Sequence, residues 1–314
     1  MLKSIKPGVN ALVKPEAGLS RGGQPLSFNL APSQDLSPWI ARLYCTPVEL
    51  PSDYTLQSGL LNDTAIIRIQ LSGDWQALTA DGMMNLGPAA LVFGTQSRFM
   101  PVWVKGSFLS IGVALRAGAG HALLGADASK LVDRIVHFEH FGLDGPGMLE
   151  ELRQHEGATA WFKVVEDRFR AVVERKGRPL PDPVSAAFEA LSYSDPSVKI
   201  TDFAKDIGIS LRTLERLVRR DFGLTPKQVM MRARALDMAS HLHGVADEEE
   251  AEELMLRYFD QAQMTREFTQ LFGMSPRKFM ATPNPLLTLT LESRQAKRLE
   301  ALERLTPGAN RPWQ

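Results

Sequence analysis

The sequence predicts an α+β protein: an N-terminal antiparallel β-sandwich or barrel with flanking helices, followed by an all-α domain. Three observations carry this. Short runs rich in β-branched and aromatic residues recur from Ile40 to Leu115 with turn formers between them. Three prolines and a glycine fall within residues 175–183, where no regular element can persist. From Val184 to Met280 the apolar residues recur at helical spacing.

Taken in order, the expected strands are Ile40–Cys45, Tyr54–Leu60, Thr64–Leu71, Trp75–Ala80, Ala89–Phe93, Phe99–Val104 and Phe108–Leu115. The breaks between them include Asn62-Asp63, Ser72-Gly73-Asp74, Gly87-Pro88 and Lys105-Gly106. Trp161, Val164, Val165, Phe169, Val172 and Val173 then mark a helix over Ala160–Arg175, expected to pack on the strands. The domain division is therefore 1–178 for the β-rich part, 184–283 for the helical part and 284–314 for a C-terminal helical tail, with Leu291–Leu305 as its helix.

Composition sets limits on function. The formal net charge is zero, with 36 basic and 36 acidic residues, yet the charges are segregated. Lys199, Lys205, Arg212, Arg216, Arg219, Arg220, Lys227, Arg232 and Arg234 crowd one segment, and Asp247, Glu248, Glu249, Glu250, Glu252 and Glu253 another. Local fields, not totals, steer a polyanion. The single cysteine, Cys45, rules out an internal disulfide and suits a reducing cytoplasm. No apolar run is long enough to span a bilayer, so a cytoplasmic protein without membrane contact is expected.

Residues 199–223 carry the most specific signal. Phe203, Ala204 and Ile207 share a helix face, Gly208 ends that helix, and Ser210 caps the next. In the second helix Leu211, Leu214, Leu217 and Val218 face inward, while Arg212, Thr213, Glu215, Arg216, Arg219 and Arg220 face out. Two short helices, a tight turn and an arginine-rich face suit the DNA major groove, because a guanidinium fork can bond guanine O6 and N7 together. A solvated surface helix is the bland reading of the same residues.

The step Phe222-Gly223-Leu224-Thr225-Pro226 then opens a long helix, Lys227–Leu242, and a second helix pair ends on Phe272-Gly273-Met274-Ser275-Pro276. Two helix-turn-helix units, each closing on Phe-Gly-x-Ser/Thr-Pro and joined by one helix, resemble the DNA-binding domain of the AraC/XylS family over Val184–Met280. The resemblance implies a transcription regulator that reads successive major grooves of duplex DNA. By position, Arg212, Glu215 and Arg216 would read from the first unit, and Gln261, Ala262, Thr265 and Arg266 from the second. Leu214, Leu217, Met264, Phe268 and Phe272 would belong to the core. The sequence departs from the family at Arg257, where a glycine is usual, at the acidic helix before it, and at Met280, where an arginine usually closes the motif. A protein-interaction regulator with a weakened second unit is the alternative these departures leave open.

Residues 90–98 and 112–125 resemble a sensor domain of unknown function found ahead of such DNA-binding domains, with a cupin-related sandwich. The partners this implies are double-stranded DNA, a small-molecule effector, a second copy of the chain and RNA polymerase. The aromatic set Trp75, Phe93, Phe99, Trp103 and Phe108 would line an effector cavity or fill the core. Cupin-like barrels also hold metals, but His121, His137, His140, His155, His241 and His243 fall outside the expected strands, and His241 and His243 read as solvent-facing. No nucleophile triad, phosphate loop or dinucleotide fingerprint is present, so neither a catalytic residue nor a cofactor is assigned.

Overall fold

The computed structural model of the chain describes residues 6–247, 261–306 and 309–314. Glu248, Glu249, Glu250, Glu252, Glu253, Arg257 and Asp260 lie outside them, as does the side chain of Gln261.

The N-terminal part is a strongly bent antiparallel sheet. Its main strands are β3 (Ile40–Glu49), β4 (Thr55–Leu60), β5 (Ile66–Thr79), β6 (Gly82–Leu86), β7 (Ala89–Phe93) and β8 (Met100–Leu115). Short strands β1 (Lys14–Pro15) and β2 (Phe28–Leu30) pair with β3, and β9 (Ile135–His137) pairs with β7. Here the structure differs from the sequence expectation. Ser72-Gly73-Asp74 and Lys105-Gly106 do not end strands. The first is a bulge between Gln70 and Asp74 in the β5–β8 ladder, and Gly73 has φ of 106°. A Cβ there would lie 2.7 Å from both Phe108 Cβ and Trp75 Nε1, so the close approach demands glycine. Each long strand thus bends and serves two layers.

The two faces of the sheet have different partners. Leu43, Cys45, Ile67, Ile69, Val92, Ile111 and Val113 pack against the short α1 (Ala119–Leu124) and against α2 (Gly145–Arg153) and α3 (Ala158–Arg175), whose Leu149, Leu152, Phe162 and Val165 complete that core. The other face is covered from the far end of the chain. Helix α10 (Pro285–Ala301) places Leu286 and Leu289 among Val48, Phe93 and Phe108. Its Leu287, Leu291, Ala296 and Leu299 join Leu236, Ala239, Phe268 and Phe272 of the helical domain. The segment expected as a tail is therefore a buried helix shared by two cores.

The helical domain comprises α4 (Pro183–Ser194), α5 (Ile200–Asp206), α6 (Leu211–Phe222), α7 (Pro226–Leu242), α8 (Gln261–Phe272) and α9 (Pro276–Ala281). Among the described residues no helix is long and apolar enough to cross a membrane.

Candidate nucleic-acid interface

The first unit is built from its caps. Gly208, with φ of 72°, turns the chain after α5. The Ser210 hydroxyl accepts from the Thr213 N–H at 3.1 Å and starts α6, and Gly223 ends it at φ of 76°. Thr225 and Gln228 form a reciprocal capping box at the start of α7, with Pro226 in its first turn. Leu214 and Val218 are wholly buried against Phe188, Phe203 and Phe222, which fixes the rotation of α6 about its axis.

That rotation leaves Arg212, Glu215, Arg216 and Arg219 exposed, and Leu211, expected to face inward, is exposed as well because it opens the helix ahead of the buried Leu214 and Val218. Thr213 is half-buried, and its hydroxyl lies 2.9 Å from that of Ser210. Arg220 sits differently from the sequence expectation of an outward face. It is half-buried and donates Nε–H and Nη2–H to Asp221 at 2.6 and 2.7 Å, with Asp182 3.6 Å away. Asp221 also accepts from Ser185 at 2.5 Å, so Arg220 ties α6 to the start of α4. The basic crowding is thinned elsewhere too. Arg232 is buried, donating to the carbonyls of Gln96 and Asp63 in the sheet domain, and Arg234 pairs with Glu267 at 2.9 Å. The exposed basic set is Lys199, Lys205, Arg212, Arg216, Arg219 and Lys227.

A turn of the sheet domain, Ala128–Leu131, lies beside this helix. Asp127 and Ser129 share an open groove with Arg212, Glu215, Arg216 and Arg219. A Cβ on Gly223 would be 2.9 Å from the Ala128 carbonyl oxygen, so the two segments are in direct contact.

In the second unit Met264, Phe268 and Phe272 are buried, and Phe268 stacks on Phe272 at 4.3 Å. Ala262, Thr265 and Arg266 are exposed on the opposite face of α8. Ser275 caps α9, and Met280 is buried in the shared core. Sequence reasoning also missed His243. It is buried rather than solvent-facing, with Nδ1 2.7 Å from Thr288 Oγ1 of α10. Burial lowers its pKa to about 4. The Cys45 thiol is pushed up to about 12, chiefly by burial, and is an inert core group. His137 lies in β9, a strand the sequence reading did not expect, and His140 in a following 3-10 turn. Among the described residues no three His, Cys, Asp or Glu side chains gather as metal ligands would.

Residues 203–282 match the family model of a helix-turn-helix domain, and residues 29–137 match that of a domain of unknown function, DUF6597. No curated protein matches the chain. Among solved structures, unsaturated-fatty-acid-bound ToxT from Vibrio cholerae is similar at 11% identity and a TM-score of 0.45, over 76% of this chain and 94% of that one. The P21 crystal form of ToxT gives 9% identity and 0.45 over 76% and 97%. The AraC-like transcriptional activator CuxR gives 14% identity and 0.29 over 62% and 76%. Residues 203–282 are an AraC-type helix-turn-helix domain set behind a β-rich N-terminal domain, as in a DNA-binding transcription regulator.

Proposed function

We propose that this regulator reads two adjacent major grooves, with α6 entering one and α8 the next, under control of a small molecule or partner bound by the N-terminal domain. The observation that carries the reading is the face of α6. Arg212 and Arg216 stand one turn apart in solvent with Glu215 beside them, while Leu214 and Val218 hold the helix in its core. Arg219 extends the same basic face toward phosphate. On α8, Gln261, Ala262, Thr265 and Arg266 are the corresponding readers. Thr213 and Arg220 serve the helix cap and the α4 contact before they serve DNA. Control by the N-terminal domain is supported by the Ala128–Leu131 turn against the end of α6, since a shift of that turn moves the reading face. A second copy of the chain and RNA polymerase are the protein partners this role calls for.

Selection of bound sequences from random duplex DNA tests the reading. The expected result is two enriched short motifs about 10 base pairs apart, centre to centre. Affinity for the selected site should fall steeply as salt rises, because bound counterions leave the phosphates. No enriched sequence, or an affinity indifferent to salt, would overturn it.

A further inference from the structure

Between the covered face of the sheet and α10 lies a cavity of about 50 Å³. Its floor is set by strand register. Tyr44, Gly112 and Arg68 form one row across β3, β8 and β5, and Thr46, Ser110 and Gln70 form the next. A Cβ on Gly112 would fall 1.8 Å from Tyr44 Cζ, so glycine is what lets the phenol lie across β8 beside Arg68. Leu286 and Leu289 of α10 close the top.

Several polar groups here are unmatched. The Tyr44 hydroxyl, the Ser110 hydroxyl and both amide atoms of Gln70 are buried without a hydrogen-bond partner. Arg68 is 6% exposed, and its guanidinium lies over the rings of Trp75 and Phe93 at 5.4 and 5.3 Å. Three other cations line the cavity, and each has a carboxylate: Arg42 has Glu300 at 2.7 Å, Arg294 has Asp63 at 3.0 Å and Lys297 has Glu189 at 3.0 Å. Among the described residues Arg68 has none. Ring faces only partly compensate a desolvated cation, and buried charges are ordinarily paired. Waters would satisfy the hydroxyls and the amide but would leave the charge.

We propose that this chamber binds a compact carboxylate, gripped by Arg68 with the Tyr44 and Ser110 hydroxyls as further donors. The volume holds about three or four water-sized groups, which limits the ligand to a carboxylate with one or two further carbons. A planar carboxylate also suits the guanidinium fork. The proposal rests on the reading of the N-terminal domain as the sensor. It goes beyond it by assigning the ligand's chemistry and by placing it against α10, which the helical domain shares.

The test uses ¹³C-labelled acetate and the full-length chain. Saturable line broadening, reversed by unlabelled acetate but not by neutral acetamide, is expected. Affinity should fall at least tenfold in Arg68→Gln and several-fold in Tyr44→Phe. Should Arg68→Gln not fold, Tyr44→Phe and the acetamide comparison still decide. Equal competition by acetamide, absence of saturable binding, or unchanged affinity in the variants overturns the proposal. DNA affinity at constant ionic strength separates it from the reading beneath it. Acetate binding without any change in DNA affinity upholds the site and removes ligand control through it. A change in DNA affinity caused by a small-molecule cell extract, with no acetate binding, sinks the carboxylate site alone.

Discussion

Arg294 of α10 donates a hydrogen bond to Asp237 in the middle of α7, and both side chains are buried. The same guanidinium reaches Asp63 of the sheet domain at 3.0 Å, so one residue bridges three segments. Burial pushes the Asp63 carboxyl up, but the charges of Arg294, Arg232 and Lys297 outweigh it and hold it below the usual range. Removing one partner of such a pair strands the other charge, which costs about 3–5 kcal/mol. Arg294→Met should therefore lower the urea-unfolding free energy by about that much, with sheet and helix signals lost together. Arg294→Met combined with Asp237→Leu should recover part of the loss. A single variant within 0.5 kcal/mol of wild type would refute the linkage.

His243 makes stability depend on pH. Its folded pKa, about 4, lies below the ordinary value of 6.5, so the unfolded chain takes up its proton first. The resulting stability is fully present above pH 6.5 and is lost as pH falls toward 4. Between pH 6.5 and 5 the loss is about 2 kcal/mol. Burial raises the carboxyl pKa values of Asp237 and Glu292, which act in the opposite sense. Those groups are present in wild type and in His243→Gln alike. The difference between the two proteins in urea midpoint, followed from pH 7 to pH 5, should shrink as the pH drops. A constant difference would rule out a titrating His243.

These two sites show where sequence reading stops. The caps at Ser210 and Thr225, the glycine turns and the inward Leu214, Leu217, Met264 and Phe268 were legible because each depends on neighbours within a few residues. The double helix-turn-helix pattern was legible for the same reason. The burial of α10 was not. A helix was expected over Leu291–Leu305, but nothing local marks Glu292, Arg294, Lys297 and Arg298 as buried, and only partners such as Asp63, Glu189 and Asp237, far away in sequence, make them so. Gly73 and Gly106 misled in another way, since a glycine at positive φ bends a strand as readily as it ends one. Among the expected reading residues, Arg220 was indistinguishable from Arg219 until the position of Asp221 was fixed.

Arg212 and Arg216 should behave unlike Arg220. Replacing either exposed residue with Ala should cost about 1–3 kcal/mol at the selected DNA site, with a smaller loss on random duplex and unchanged thermal stability. Arg220→Ala should instead lower the melting temperature, because Asp221 is left buried without its cation. Equal weakening on both DNAs would mean that Arg212 and Arg216 touch only phosphate.

The two units should also contribute unequally, the first anchoring and the second tuning. Arg216 stands in a face also carrying Arg212 and Arg219. Arg266 of α8 follows a segment containing Asp247, Glu248, Glu249, Glu250, Glu252, Glu253 and Asp260, with Glu267 beside it. Two of these acids have cations of their own: Asp247 pairs with Arg304 at 2.7 Å and Glu267 with Arg234. The other six lie outside the described residues, and as sequence they are a block of negative charge close to Arg266. Helix-dipole complementarity asks for only one or two acids at a helix start. Like charge within about 10 Å of phosphate opposes docking, and salt screens it beyond that length. Arg216→Ala should then cost the upper part of the range of about 1–3 kcal/mol, roughly a hundredfold in specific affinity, whereas Arg266→Ala weakens it only several-fold. Changing Glu248, Glu249 and Glu250 together to Gln should tighten binding, more at low salt than at high. Titration of labelled duplex at two salt concentrations reads both effects. The unequal-anchor idea is wrong if Arg266→Ala proves the more damaging, or if the triple variant leaves low-salt affinity unchanged.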